Sequence, residues 1–182
     1  MTTGRPVGRV EEIRIYPVRS LAGRALTLAE VLPGGLAGDR VWTVLGADDS
    51  PVRPKEAPAL RDVEPTGDPS ADAARLTELL NRPVRLAPSP AARPDVAPVH
   101  LVSRQAVDRA AAGEVPEGCS AEDPRANLLL DLDGDERAWV GRELRVGGAV
   151  LRITRTPKHC LGVYADVLAP GPVRTGDTVL LV

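Results

Sequence analysis

Apolar positions in this chain fall in short runs broken by glycine and proline, and most runs have the length of a strand. Residues 10–18 set Val10, Ile13 and Ile15 among charged neighbours before Pro17, the pattern of a strand with one solvated face. Residues 25–32 and 40–45 are further apolar runs, parted by the turn signals Pro33-Gly34-Gly35 and Gly38-Asp39. The stretch 46–58, with its Asp48-Asp49 pair and three prolines, reads as loop, and 59–63 as another short strand. A helix is expected over 70–81, with Ser70 as N-cap, a stripe of Leu76, Leu79 and Leu80, and Asn81 before Pro83 as its close.

The second half repeats the rhythm. A strand at 84–86 runs into a Pro/Ala-rich connector, 87–98, read as a loop crossing one barrel rather than a domain boundary. Strand 99–102 leads to Ser103, the N-cap of a helix over 104–112 that stops at Gly113. A strand is expected at 128–132. Two more, 144–146 and 149–153, flank Gly147-Gly148, a two-residue hairpin signal because both glycines accept φ > 0. Strands over 161–168 and 178–182 finish the chain. Many short strands with Gly/Pro turns and two helices point to an antiparallel barrel with attached helices.

Composition narrows this picture. The 182 residues suit a single domain; 43% are apolar but only 2% aromatic, with no Phe, so the core is to be built from Val, Leu, Ile and Ala. The formal net charge of −2 argues against nucleic-acid or membrane-surface binding, which calls for a basic excess. It leaves room for a local basic pocket, since the 23 cationic residues are nearly all Arg. No stretch near the start reads as a signal peptide and no run approaches the length of a membrane span. A cytoplasmic protein whose two cysteines, Cys119 and Cys160, stay reduced is therefore expected.

Candidate chemistry centres on Cys160, in Thr156-Pro157-Lys158-His159-Cys160-Leu161-Gly162. Cations lower a thiol's pKa, and Lys158, His159 and Arg155 are close in sequence. The competing reading is a buried structural cysteine at a strand start. In a strand, His159 and Cys160 would face opposite ways, which argues against a Cys/His dyad, and the two Cys and two His lack paired zinc-ligand spacing. Cys119, in a polar loop, reads as incidental. A scattered set of Arg19, Ser20, Asp39, Arg40, Ser103, Arg125 and Asn127 at strand ends offers guanidinium forks and neutral donors, though spacing alone does not unite it. The run Asp131, Asp133, Asp135, Glu136 fails as a calcium loop because Arg142 stands where the bidentate Glu belongs.

Taken in order, Tyr16-Pro17-Val18-Arg19-Ser20, Gly38-Asp39-Arg40-Val41-Trp42, the segments 98–107 and 123–155, and the closing 159–182 resemble the MOSC family, named for the C-terminal region of molybdenum cofactor sulfurase. The resemblance implies a mainly β fold, a pyruvate-kinase-like barrel with two or so short helices. Residues 1–182 would form one unit, 1–87 resembling the N-terminal barrel region and 98–182 the core with the cysteine. By motif, Arg19, Ser20 and Arg40 would meet a molybdopterin or its phosphate, Ser103, Arg125 and Asn127 would add donors, and Cys160 would be the metal thiolate and catalytic residue. The chain departs from longer relatives in two places: Leu161-Gly162-Val163-Tyr164 follows Cys160 at once where they carry a loop, and His159 replaces an Arg.

Three readings follow from the resemblance. The first is a molybdenum-cofactor oxidoreductase that reduces N-oxygenated small molecules with electrons from a separate donor protein. The second is a metal-free sulfur carrier or cysteine-nucleophile enzyme acting through Cys160. The third is a non-catalytic binding barrel with Cys160 in its core.

Overall fold

The computed structural model describes residues 3–90, 97–115 and 124–182. Its elements run β1 (Arg5–Ile15), β2 (Arg24–Leu26), β3 (Leu28–Leu32), β4 (Gly35–Leu36), β5 (Trp42–Gly46), α1 (Pro69–Leu80), β6 (Val84–Pro88), β7 (Val99–Ser103) and α2 (Arg104–Ala111). They continue as β8 (Leu128–Leu132), β9 (Glu143–Val146), β10 (Ala149–Arg155), β11 (Val163–Ala169), β12 (Gly171–Arg174) and β13 (Thr178–Leu181). Two 3-10 helices, Pro58–Asp62 and Glu136–Trp139, complete the set. The chain divides into two compact units: the described residues of Met1–Arg14, Ala25–Ala37 and Ala92–Val182, and those of Ile15–Arg24 and Gly38–Ala91.

The first unit holds the barrel. Its main sheet runs β13-β9-β10-β11-β7-β8-β1-β2, and β1 pairs with β13 as well as with β8, closing seven strands on themselves. Closure removes the two edges that an open sheet would expose. Strand β1 buries Val7, Val10 and Ile13 although they are three apart, because register shifts at Pro6/Gly8 and Val10/Glu12 each insert a residue. In β10, where Ala149, Leu151 and Ile153 alternate, the ordinary period of two holds. The glycine hairpin is as expected: Val146 pairs with Ala149 across Gly147, which adopts φ 54°. Strand β12, a Gly-Pro-Val-Arg segment absent from the sequence reading, joins β3 and β4 in a small second sheet.

The barrel is mixed rather than wholly antiparallel: β7 and β8 run parallel. Parallel neighbours need a crossover, and α2 lies in the connection between them. All five β7 residues are buried, since Val102 packs with Ala106 and Ala110 of α2 on the face away from the barrel interior.

The second unit pairs β5 with β6 over a core of Val18, Leu21, Val44, Val52, Leu60 and Leu76. Two local expectations change here. Residues 58–62 form a 3-10 helix rather than a strand, because Pro58 opens the turn and Leu60 alone is buried, leaving no alternation to pair. The N-cap of α1 is Asp68, whose carboxylate accepts from the amides of Ser70 and Ala71, while Asn81 closes the helix in the left-handed conformation. Among the described residues, no helix is long and apolar enough to cross a membrane.

Candidate functional site around Cys160

Strand β11 begins at Val163, so Cys160 stands on the bend between β10 and β11 and not in a strand. The up-and-down alternation with His159 therefore does not apply: His159 is exposed and Cys160 half-buried. Two backbone devices hold the bend. Gly162 adopts φ 80° against β7, where a Cβ would come within 2.0 Å of the Leu101 carbonyl oxygen. His100 of β7, 5% exposed, places Nε2 2.7 Å from the Leu161 carbonyl. A carbonyl only accepts, so this ring nitrogen carries the proton. In sequence His100 stands out only as a possible zinc ligand; in the fold it fastens the residue next to Cys160.

Cys160 Sγ donates to the Pro124 carbonyl at 3.4 Å. The thiol lines a cleft of about 210 Å³ together with Arg109 of α2, Arg137 of the second 3-10 helix, Glu114 and the backbone turn at Thr156 and Pro157. The cations that line the cleft with the thiol thus differ from those nearest in sequence. Lys158 is exposed, and the Arg155 guanidinium lies over the Tyr164 ring, 5.1 Å from its centroid. Arg109 and Arg137 arrive from more distant elements. Arg137 is gripped by Asp135, with Nε 2.9 Å from Oδ1 and Nη2 2.6 Å from Oδ2. Those hydrogen bonds hold the Asp135 carboxyl below its ordinary range. Arg109 has no ion pair or side-chain hydrogen bond among the described residues.

The motif residues on this unit are held as follows. Ser103 is fully buried; its hydroxyl accepts from the Ala106 amide and its own amide donates to Glu136 Oε1 at 3.0 Å. These are the two bonds of a capping box, with a distant Glu in place of the helix's own third residue. Glu136 Oε2, also buried, has no hydrogen-bond partner among the described residues. Asn127 is fully buried as well: Oδ1 accepts from the His100 amide and Nδ2 donates to the Arg14 carbonyl. Arg125 is half-buried with φ 50°.

On the second unit, Asp39 Oδ1 accepts from the Tyr16 amide at 2.7 Å and Oδ2 pairs with Arg40 at 2.5 Å, while the Arg40 guanidinium covers the Tyr16 ring. Arg19 Nε donates to Ser89 Oγ at 3.2 Å, and the Ser20 hydroxyl to the Val52 carbonyl. Five non-glycine residues among those described have φ between 50° and 77°: Ser20, Arg40, Asp49, Asn81 and Arg125. Asp and Asn tolerate that region, which accounts for Asp49 and Asn81. The other three are motif residues of types that avoid it. Cys119 lies outside the described residues, and Cys160 is in no disulfide among them. Among the described residues no three His, Cys, Asp or Glu side chains gather as ion ligands; a metal held by one thiolate and a pterin needs no such group.

The family profile described as the MOSC N-terminal beta barrel domain matches residues 7–113, a span that holds Arg19, Ser20, Arg40, Ser103 and Arg109 but ends before Cys160. No curated protein matches the chain. Among solved structures, the YuaD protein from Bacillus subtilis is similar with a TM-score of 0.57 and 16% identity, over 96% of this chain and 95% of that one. YiiM from Escherichia coli gives a TM-score of 0.47 and 15% identity, over 99% of this chain and 70% of its own. At such identities the likeness is one of fold, and it rests on the first of the two. A profile covering more than half of the sequence decides the family: the chain belongs to the MOSC N-terminal beta barrel family and is a MOSC-domain barrel protein.

Proposed function

We propose that this MOSC-domain protein handles sulfur through Cys160, carrying it as a persulfide or using the thiolate as a nucleophile. The observation behind this reading is the setting of the thiol. It stands half-buried on an inter-strand bend, at the wall of a cleft that also carries two guanidinium groups. A core cysteine packs among apolar side chains; this one has a carbonyl partner and charged neighbours. Proton loss from Sγ would give the nucleophile, and a guanidinium on the same cleft, that of Arg109, would favour its charge. The protein purified from cells is expected to release thiocyanate when treated with cyanide, and Cys160→Ser to release none from this position. Equal release from the variant sinks the reading.

A second reading, molybdenum-cofactor binding, is favoured by the left-handed backbone at Ser20, Arg40 and Arg125. Such conformations cost on the order of 1 kcal/mol each in residues of these types and tend to persist where function holds them. Arg19, Ser20, Arg40 and Arg125 have the donor chemistry for an anionic pterin phosphate. Ser103 and Asn127, both fully buried, would serve by capping α2 and by tying the His100 backbone to β1 rather than by touching the group. Cys160 would be the thiolate ligand, and the bound metal would supply two-electron oxygen-atom chemistry to a small substrate, with a separate protein as electron donor. Stoichiometric molybdenum in protein from a molybdenum-replete host, lost in Cys160→Ser, is the result this reading requires.

A further inference from the structure

The charged groups of the Cys160 cleft differ in what they leave open to a ligand. Of its two guanidiniums, Arg137 is already committed to Asp135 by bonds from both Nε and Nη2. That pair is close to neutral as seen from the cleft. Arg109 is half-buried on the last turn of α2. Asp135 acts on it only through space, without a hydrogen bond between them. Glu114 adds one carboxylate at the rim, but it is exposed and water screens it. Arg109 therefore presents a planar donor fork whose geometry matches a carboxylate or sulfonate. The cleft, about 210 Å³, is open to solvent and of a size for a small organic acid.

We propose that this cleft is a subsite for a small anionic sulfur compound, with Arg109 gripping its carboxylate or sulfonate while its sulfur meets Cys160 Sγ. The proposal rests on the sulfur-handling reading and names its substrate class: an anionic donor of sulfane sulfur, such as a carboxylate-bearing persulfide. In the transfer, the Cys160 thiolate attacks the outer sulfur of the donor. A new S–S bond forms to Cys160, the donor's S–S bond breaks, and the electron pair leaves with the inner sulfur as a thiolate. The proton of Cys160 passes to solvent beforehand. No external oxidant or reductant enters, since the transferred sulfur keeps its oxidation state.

Alkylation kinetics test the subsite on the intact chain, using iodoacetate as the anionic probe and iodoacetamide as its neutral counterpart. Rates are read by mass spectrometry on the peptide carrying Cys160, so that Cys119 does not contribute. Arg109→Gln is expected to slow the iodoacetate reaction about three- to tenfold, the range for one partly exposed charge-assisted contact, and the iodoacetamide reaction less than about twofold. Arg109→Lys, which keeps the charge and loses the fork, should fall between. Glu114→Gln should raise the preference for iodoacetate. Equal slowing of both probes in Arg109→Gln overturns the proposal, because it would report a changed thiol rather than a lost grip. So does discrimination that survives Arg109→Gln and vanishes in Arg137→Gln. Cyanolysis reads the parent claim separately: labile sulfur on Cys160 without anion discrimination overturns the subsite alone, and discrimination without labile sulfur overturns the sulfur-carrier reading alone.

Discussion

At the scale of single residues, the Cys160 bend depends on groups that are not themselves reactive. Gly162 combines φ 80° with a Cβ position 2.0 Å from a backbone oxygen of β7, so no side chain fits without moving a barrel strand. Gly162→Ala is expected to lower stability by at least about 2 kcal/mol, combining left-handed strain with a steric clash, as read by urea denaturation. An unchanged midpoint would mean that the bend is not pinned there. His100 braces the same bend through the Leu161 carbonyl, and Asn127 ties the His100 backbone to the Arg14 carbonyl of β1. From sequence, these residues look like chemistry candidates, because a His and an Asn near strand ends carry donors. Their full engagement shows only once partners far along the chain are known.

At the scale of elements, α2 joins fold and site. Ser103 and Glu136 complete its N-terminal cap, and its last turn carries Arg109 to the cleft. Ser103→Ala removes the hydroxyl that accepts from the Ala106 amide and is expected to cost about 1 kcal/mol, the usual worth of such a cap. Thermal denaturation checks the cost, and Cys160 alkylation by iodoacetamide should stay near the wild-type rate if the role is structural. The helix, its cap and the glycine hairpin were legible because each rests on residues within a few positions of one another. Two elements were not. Segment 171–174 looks like a turn by composition and is a strand only because β3 lies alongside it. Segment 59–63 carries apolar Ala59, Leu60 and Val63, but over 58–62 only Leu60 is buried, and proline geometry prevails.

For the barrel unit as a whole, closure depends on β13, which pairs with β1 on one side and β9 on the other. Removing residues 178–182 opens the ring and exposes two unpaired edges, so the truncated chain is expected to aggregate or to lose its cooperative transition. A soluble truncated protein with unchanged circular dichroism and melting would contradict that account. The sequence by itself determined the two helices, the glycine hairpin, the mainly β class and the family, because short-range patterns and motif order carry all of these; it did not determine every strand, since the first runs over Arg5–Ile15 rather than 10–18. It also marked Cys160 as the residue to watch. Tertiary structure alone decided that β7 and β8 run parallel, that Ser103 and Asn127 are fully buried, and that Arg109 and Arg137 rather than Lys158 line the cleft with the thiol. The physical reason is distance along the chain. Arg109 and Cys160 meet only after a crossover helix has packed on the barrel and the bend has been fixed against β7, and no local spacing records that encounter.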